Sequence, residues 1–546
     1  MSGLLYPLCF AASLVLAIAA GNPGQYRPSD LAVTLAAVLL VSGLVIAVVF
    51  LAVWALDRTD RAAPLAAAVA LLAIAWIFYY IPAQQALSSV SHRLTRDRIF
   101  APLAALPTLA AITWLLRQTR PRLLGLSRYL TTFGLLLLTM VTVQVVVSQG
   151  RGPRVARRST LVRELASPLP IAVPPPPGRN APPRDIYLIV LDGHANARVL
   201  QEVFGFDNSR FEDSLRALGF LIPRDARSNY VQTYLSVSSL LNFSHVTRLA
   251  EDAGTTSTDH SLPKYLIMHN RAARFLKAHG YRYVLFPSAW WAATAASPLA
   301  DREFDSHARF ELGHEVRRTE LRLTVLRSTL LRFVLGTDHT RTPLVQHFLR
   351  SFEAMGRIPA DTAPTFTFAH VLLPHVPYLV DERCRPLEHP VADDEEADTP
   401  AQRADYIGQV QCADRLVLEL VTTLLRQSPI APVILIVGDH GSRFADVGFY
   451  GHPERVSTAF IRERFGAFGA FYLPAGGDST FREPVTLVNV LRNVFRYYFG
   501  ADLPRAPDEM YVSGQLPYRF YPVDPRLLEA HPAPARRCSG STSARC

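Results

Sequence analysis

Lysine is almost missing from this chain of 546 residues: Lys264 and Lys277 are the only two, so the net charge of +10 is carried by arginine. A nucleic-acid binder concentrates such charge in basic runs interleaved with aromatics, and the chain beyond residue 150 has no run of that kind. The charge therefore argues for an anionic phospholipid or a polyanionic envelope glycan as partner, and against nucleic acid. Cysteine is scarce as well, with five in all. Cys9 falls in an apolar stretch, while Cys384, Cys412, Cys538 and Cys546 lie in the mixed-charge part of the chain. That even number permits disulfides in an oxidising compartment, with three possible pairings, of which Cys384 with Cys412 is the favoured one.

Long apolar runs are absent after about residue 150 and dominate before it. A bilayer core about 30 Å thick requires roughly 20 apolar residues in a helix. Five stretches meet or approach that length, at about 4–20, 31–55, 63–82, 99–116 and 129–148. Tyr79, Tyr80 and Trp114 stand near span ends, where amphipathic rings are expected. The first stretch is short and ends in "AIAAG", but it lacks the basic segment of a signal peptide and reads as a retained span. Basic residues do not fix the orientation. Arg58, Arg61, Arg117, Arg120, Arg122 and Arg128 favour an inside N-terminus, whereas Arg93, Arg96, Arg98 and the cluster "RGPRVARR" oppose it. Five spans from inside, or four after cleavage, both deliver the remainder of the chain outside.

The expected organisation is a transmembrane bundle at 1–150, a proline-rich linker at 151–183, an α/β domain at 184–525 and a flexible tail at 526–546. Within the domain, 185–191, 281–287, 365–371, 431–438 and 469–474 read as strands, and 208–219, 270–280 and 409–426 have helical spacing. Strands apolar on both faces and separated by helices imply a mostly parallel sheet covered on both sides.

Ligands of such sheets bind beyond the carboxyl ends of the strands. "YLIVL" runs into Asp192, "VILIV" into Gly438, Asp439 and His440, and "TFTFA" into His370, with His375 five residues on. Taken singly, a strand-ending aspartate is ordinarily a turn or cap residue. Three strands that end this way together suggest a site for a divalent metal of hard to borderline character, such as Mn, Mg, Zn or Ca. "NYVQTYLSVSSLLNF" adds Thr233 at a helix start, where it could cap the helix or act as a nucleophile.

In this order, "IVLDG", the Thr233 segment, "HVLLPHVPY" and "VGDHG" resemble the alkaline phosphatase superfamily. The similarity is to its membrane-anchored sulfatase-like branch, which includes lipoteichoic acid synthases and lipid A phosphoethanolamine transferases. The resemblance implies a five-span bundle ahead of an extracytoplasmic domain of alkaline phosphatase-like type, in a bacterial inner membrane. It also implies that Asp192, Thr233, Asp439 and His440 hold the metal and that Thr233 is the nucleophile. His375 and His370 would bind substrate, and His452, twelve residues after His440, would be a further active-site histidine. "TYLSVSSLL" parallels the sulfatase "CxPSRxSLL" pattern, with Ser236 at its serine, but Thr233 and Val237 replace the modified cysteine and the arginine. Gly193 stands where sulfatases carry a second aspartate, so sulfate ester hydrolysis is disfavoured.

The reading that follows is transfer of a phosphoglycerol- or phosphoethanolamine-type group from a membrane lipid to an envelope lipid or glycan. Its rivals are a phosphate or sulfate ester hydrolase using water, and a non-catalytic envelope assembly protein. A transporter would need buried charges within its spans, which the five stretches lack.

Overall fold

The structure, a computed structural model, describes residues 5–22, 26, 28–88, 97–170, 183–288, 294, 296–304, 320–335, 341–360, 363–391, 397–446 and 448–529. Arg93, Arg96, Cys538, Cys546, the proline run at 171–182 and most of the expected tail lie outside these residues. The chain forms two compact units. The first comprises 1–162, 287–297 and 304–351, and the second 163–286, 298–303 and 352–546.

All five apolar stretches are helices in the first unit: α1 (Leu5–Gly21), α2 (Pro28–Leu56), α3 (Ala62–Ser88), α4 (Asp97–Leu116) and α5 (Arg120–Arg158). Helices α2 to α5 are long and apolar enough to cross a membrane, and α1 is shorter at 17 residues. Ala11, Val15 and Ala19 of α1 pack with Val38 and Ile46 of α2 and Ile74 and Phe78 of α3. On α2 the buried positions form a single row of Asp30, Thr34, Val38, Ser42 and Ile46, one per turn. Thr34 and Ser42 donate to the carbonyls of Asp30 and Val38, which satisfies their hydroxyls inside the helix itself.

Three expectations are corrected here. Residues 151–158 continue α5 instead of joining the linker, and Thr160–Ala166 form another helix. Tyr79 and Tyr80 do not simply float at an interface: their hydroxyls donate to the Phe10 carbonyl and to Asp97, while Trp114 is exposed. Residues 304–351, placed by sequence within the second domain, group with the first unit, because Leu321 and Val325 of the short helix Glu320–Arg327 bury among α1, α2 and α3.

The second unit is built on a six-stranded sheet of β1 (Ile186–Leu191), β2 (Arg282–Phe286), β3 (Arg302–Glu303), β4 (Thr365–Val371), β5 (Val433–Gly438) and β6 (Gly469–Tyr472). Its order is β3-β2-β4-β1-β5-β6, parallel except for the pairing of β5 with β6. Every residue of β1, β4 and β5 is buried, as strands with helices over both faces require. The expected helices appear as α6 (Ser209–Ala217), α8 (Arg271–Ala278) and α9 (Pro400–Gln427), and three more matter below: α7 (Thr233–Asn242), α10 (Thr458–Phe465) and α11 (Leu487–Phe499).

Cys384 and Cys412 are joined by a disulfide that ties the hairpin of Tyr378–Val380 and Pro386–Val391 to α9. The bridge closes 28 residues. Replacing both cysteines by serine should cost about 3 kcal/mol by freeing that loop in the unfolded chain. A melting temperature several degrees lower than wild type, with unchanged helix content, is the expected result.

Candidate active site at the carboxyl edge of the sheet

The site follows from strand register. Val190 of β1 lies opposite His370 of β4 and Val437 of β5, and Leu191 lies opposite Val371 and Gly438. Asp192, His370 and Asp439 are thereby delivered to one level at the middle of the sheet edge, with ligand atoms within 4.8 Å of one another and all three side chains buried. His370 was expected in a substrate-binding role; it sits instead inside this cluster, its Nε2 3.3 Å from Asp192 Oδ2, because it is part of the strand and not of the loop after it.

His440 adjoins the cluster. Its Nδ1 lies 3.0 Å from the Gly441 carbonyl, an acceptor only, so the proton belongs on Nδ1 and the Nε2 lone pair is left facing inward. Nε2 is 3.2 Å from Asp439 Oδ2, 3.6 Å from Asp192 Oδ1 and 3.1 Å from Thr233 Oγ1. Thr233 is the first residue of α7, and the cap position belongs to Gln232. Gln232 makes no cap bond; its amide donates to the carbonyls of Ser513 and Gly514. The threonine hydroxyl is thus free of capping duty and is directed at His440, in the region where helix amides favour negative charge. Ser236, one turn on, donates to the Asp439 carbonyl at 2.6 Å and holds α7 against the strand end.

The donor set suits a divalent cation. Asp192 Oδ1 and Asp439 Oδ2 are buried and make no hydrogen bond within the protein, which is costly for a carboxylate unless a cation completes it. Oxygen and imidazole donors match a hard to borderline metal. The charges are arranged unequally. Burial raises the Asp439 pKa, the charge of Asp192 raises it further, and together they push it up to about 7. Burial acts on Asp192 in the same sense, but the charges of His375, His440 and His370 and the hydrogen bond from His370 outweigh it, holding the carboxyl below the usual range. His440 is held well below the usual imidazole range, first by burial and then by the Arg464 guanidinium. It is therefore neutral at pH 7, as a ligand must be.

The histidine His375 borders the cluster, with its ring centroid 6.3 Å from that of His440 and its Nδ1 against the Val376 carbonyl. It lines a narrow cleft together with Gly193, Gly441, Ser442, Arg443 and Arg464. His452 is not brought to this group: its side chain is 73% exposed and its ionic neighbour is Glu454 at 3.8 Å.

Solved structures similar to the chain include phosphoethanolamine transferases and sulfatases. The integral membrane lipooligosaccharide phosphoethanolamine transferase A of Neisseria meningitidis matches over 91% of this chain and 96% of its own, at 13% identity and a TM-score of 0.40. The C-terminal periplasmic domain of EcEptC from Escherichia coli, in complex with Zn, matches over 63% of this chain and 94% of its own, at 12% identity and a TM-score of 0.40. That of phosphoethanolamine transferase EptC from Campylobacter jejuni matches over 58% and 90%, at 12% identity and a TM-score of 0.36. No family model and no curated protein matches the chain. At such TM-scores the likenesses carry no argument of their own, and the chemistry rests on the geometry above.

Several residues of the site were not evident from motifs. Gly193 adopts φ +73°, a left-handed conformation natural to glycine, and this turn points its amide at Asp439 Oδ1, 3.0 Å away. His194, just beyond β1, is fully buried, with Nε2 2.9 Å from Asp414 Oδ1 and Nδ1 2.9 Å from the Ala195 carbonyl. The Tyr406 hydroxyl donates to the Gly193 carbonyl at 2.9 Å. Glu463 accepts from Ser442 Oγ and from the amides of Phe444 and Ala445, shaping the loop after His440. Gly441 is required there, since a Cβ would stand 2.0 Å from the Glu463 carbonyl oxygen. Asp414 had one sequence signal, a charge on the apolar face of α9 between Val410 and Val417.

Two buried carboxylates that repel each other must weaken the metal-free fold. Asp439→Asn keeps an acceptor for Gly193 and removes the repulsion. Its metal-free melting temperature should exceed that of wild type by a few degrees, and the rise wild type shows on adding Mn or Zn should vanish. Thermal melts with chelator and with each metal test both statements; a metal-free variant less stable than wild type would refute them.

Proposed function

We propose that the protein is a membrane-anchored, metal-dependent transferase that moves a phosphoglycerol- or phosphoethanolamine-type group from a lipid donor to an envelope lipid or glycan through Thr233. The observation that supports this most directly is the placement of the Thr233 hydroxyl 3.1 Å from His440 Nε2, at the start of α7 and beside the Asp192, His370 and Asp439 cluster. Asp192, His370, Asp439 and His440 would hold a divalent ion, which when bound supplies positive charge that favours the ionised threonine and the non-bridging oxygens of the substrate.

The protein's own groups account for the rest. Thr233 Oγ1, its proton lost to solvent, attacks the phosphorus of a phosphodiester, and the bond to the leaving oxygen breaks as the new bond forms. His375 lines the cleft and supplies a proton to the leaving alcohol. The acceptor hydroxyl then takes the group from phosphothreonine and regenerates Thr233. Water in that place would make the protein a hydrolase with the same residues. The disulfide agrees with an extracytoplasmic location of the second unit, and four helices able to cross a membrane agree with an inner-membrane anchor.

Thr233→Ala should reduce turnover at least about a thousandfold, as loss of a covalent nucleophile does, while metal content and melting temperature stay near wild type. Full turnover by this variant would remove Thr233 from the chemistry. Mass spectrometry of envelope lipids and glycans from cells with and without the gene identifies donor and acceptor: a modified lipid or glycan that disappears with the gene is expected, and release of free phosphoester alone would indicate hydrolysis.

A further inference from the structure

Helix α10 carries two adjacent charges inside an apolar setting. Glu463 is 1% exposed and Arg464 3% exposed, between the buried Phe460, Ile461 and Phe465. Adjacent opposite charges that deep would be expected to neutralise each other, yet they face different partners. The Glu463 carboxylate is used by Ser442, Phe444 and Ala445. Arg464 donates from Nε to the Val231 carbonyl at 2.9 Å and from Nη1 to the Gly441 carbonyl at 3.1 Å, and Nη2 makes no hydrogen bond among the described residues. Among the described residues no carboxylate lies within ion-pair distance of this guanidinium.

A buried cation without a counter-ion costs several kcal/mol, so its retention points to an anion that visits. Its position says where. Val231 is two residues before Thr233, and Gly441 directly follows His440, so the two carbonyls fix the guanidinium to the threonine segment and to the histidine loop at once. The same side chain lines the cleft with His375 and Ser442. The only carboxylates whose charge reaches Arg464 from the cluster are Asp439 and Asp192, and a divalent ion held there would neutralise both. Arg464 would then be left as a positive centre at the cleft wall, with Nε and Nη1 braced and Nη2 available.

We propose that Arg464 is an oxyanion-binding residue of this site, donating through Nη2 to a non-bridging oxygen of the tetrahedral phosphodiester group next to Thr233. The assignment rests on the functional reading above and adds to it the residue that recognises the anionic centre. A guanidinium suits the role because Nε and Nη1 can stay braced on backbone carbonyls while Nη2 donates to the anion, an arrangement that an ammonium cannot reproduce.

Inorganic phosphate is the probe, titrated calorimetrically into the full-length, metal-loaded protein. Arg464→Gln should weaken phosphate binding at least about tenfold, a loss typical of one charge-assisted contact, and Arg464→Lys should fall between it and wild type. Metal content and melting temperature identify variants that have merely lost the brace between Val231 and Gly441. If the glutamine variant does not fold, Arg464→Lys decides: weaker phosphate binding with metal retained supports the assignment. Guanidinium added to a folded Arg464→Ala protein should restore affinity, which a purely structural role would not predict. Wild-type affinity in a folded, metal-loaded glutamine or lysine variant overturns the proposal, as does failure of the wild-type protein to bind phosphate. The outcomes separate from those for the nucleophile: an active Thr233→Ala protein refutes the threonine chemistry even where Arg464→Gln loses phosphate, and unaltered phosphate binding refutes the Arg464 role even where Thr233→Ala is inert.

Discussion

The mutual repulsion of Asp192 and Asp439 is the constraint around which the second unit is arranged. Both carboxylates are buried, both leave an oxygen without a hydrogen bond, and each raises the cost of ionising the other. Such a pair persists only where the surrounding structure is rigid enough to hold it, and where a bound cation offsets the cost. Backbone pairing of three fully buried parallel strands supplies the rigidity, because β4, β1 and β5 cannot slip by one residue without exchanging the side chains packed on the two covered faces.

Around that pair the protein uses buried polar groups as struts. His194 and Asp414 lie behind the turn after β1, Tyr406 holds the Gly193 carbonyl, and Ser236 fastens α7 to the end of β5. Glu463 collects a hydroxyl and two amides of the loop after His440. Each strut makes at least one hydrogen bond in a setting where a group with none would be expensive. This explains why glycine occupies Gly193 and Gly441: one supplies a left-handed turn that aims an amide, the other allows two backbones to approach.

Much of this was legible before the fold was known. Apolar length identified all five bundle helices, because the bilayer imposes a single ruler on them. The five principal strands were legible from short runs apolar on both faces, and the ligands from the polar residues that end those runs. Cys384 with Cys412 was the favoured one of three pairings that sequence left open, and the disulfide is the one formed. The resemblance to the sulfatase-like branch added the order of motifs and singled out Thr233. His452 shows the limit of that approach, for a spacing measured along a loop does not say whether the loop folds inward; its ring is exposed. The extent of the first unit shows another limit, since Leu321 and Val325 carry no sign in sequence of which apolar cluster they join.

The sequence by itself determined the two-part architecture, the parallel sheet, the identity of the carboxylates and imidazoles, and the threonine at a helix start. These depend on local periodicity and on where apolar runs stop. The tertiary structure alone decided that His194 is a buried support, that His452 stays away from the site, and that Glu463 and Arg464 part company to serve opposite sides of it. Those outcomes depend on strand register and on which backbone carbonyls meet a side chain across hundreds of residues, distances that no local pattern encodes.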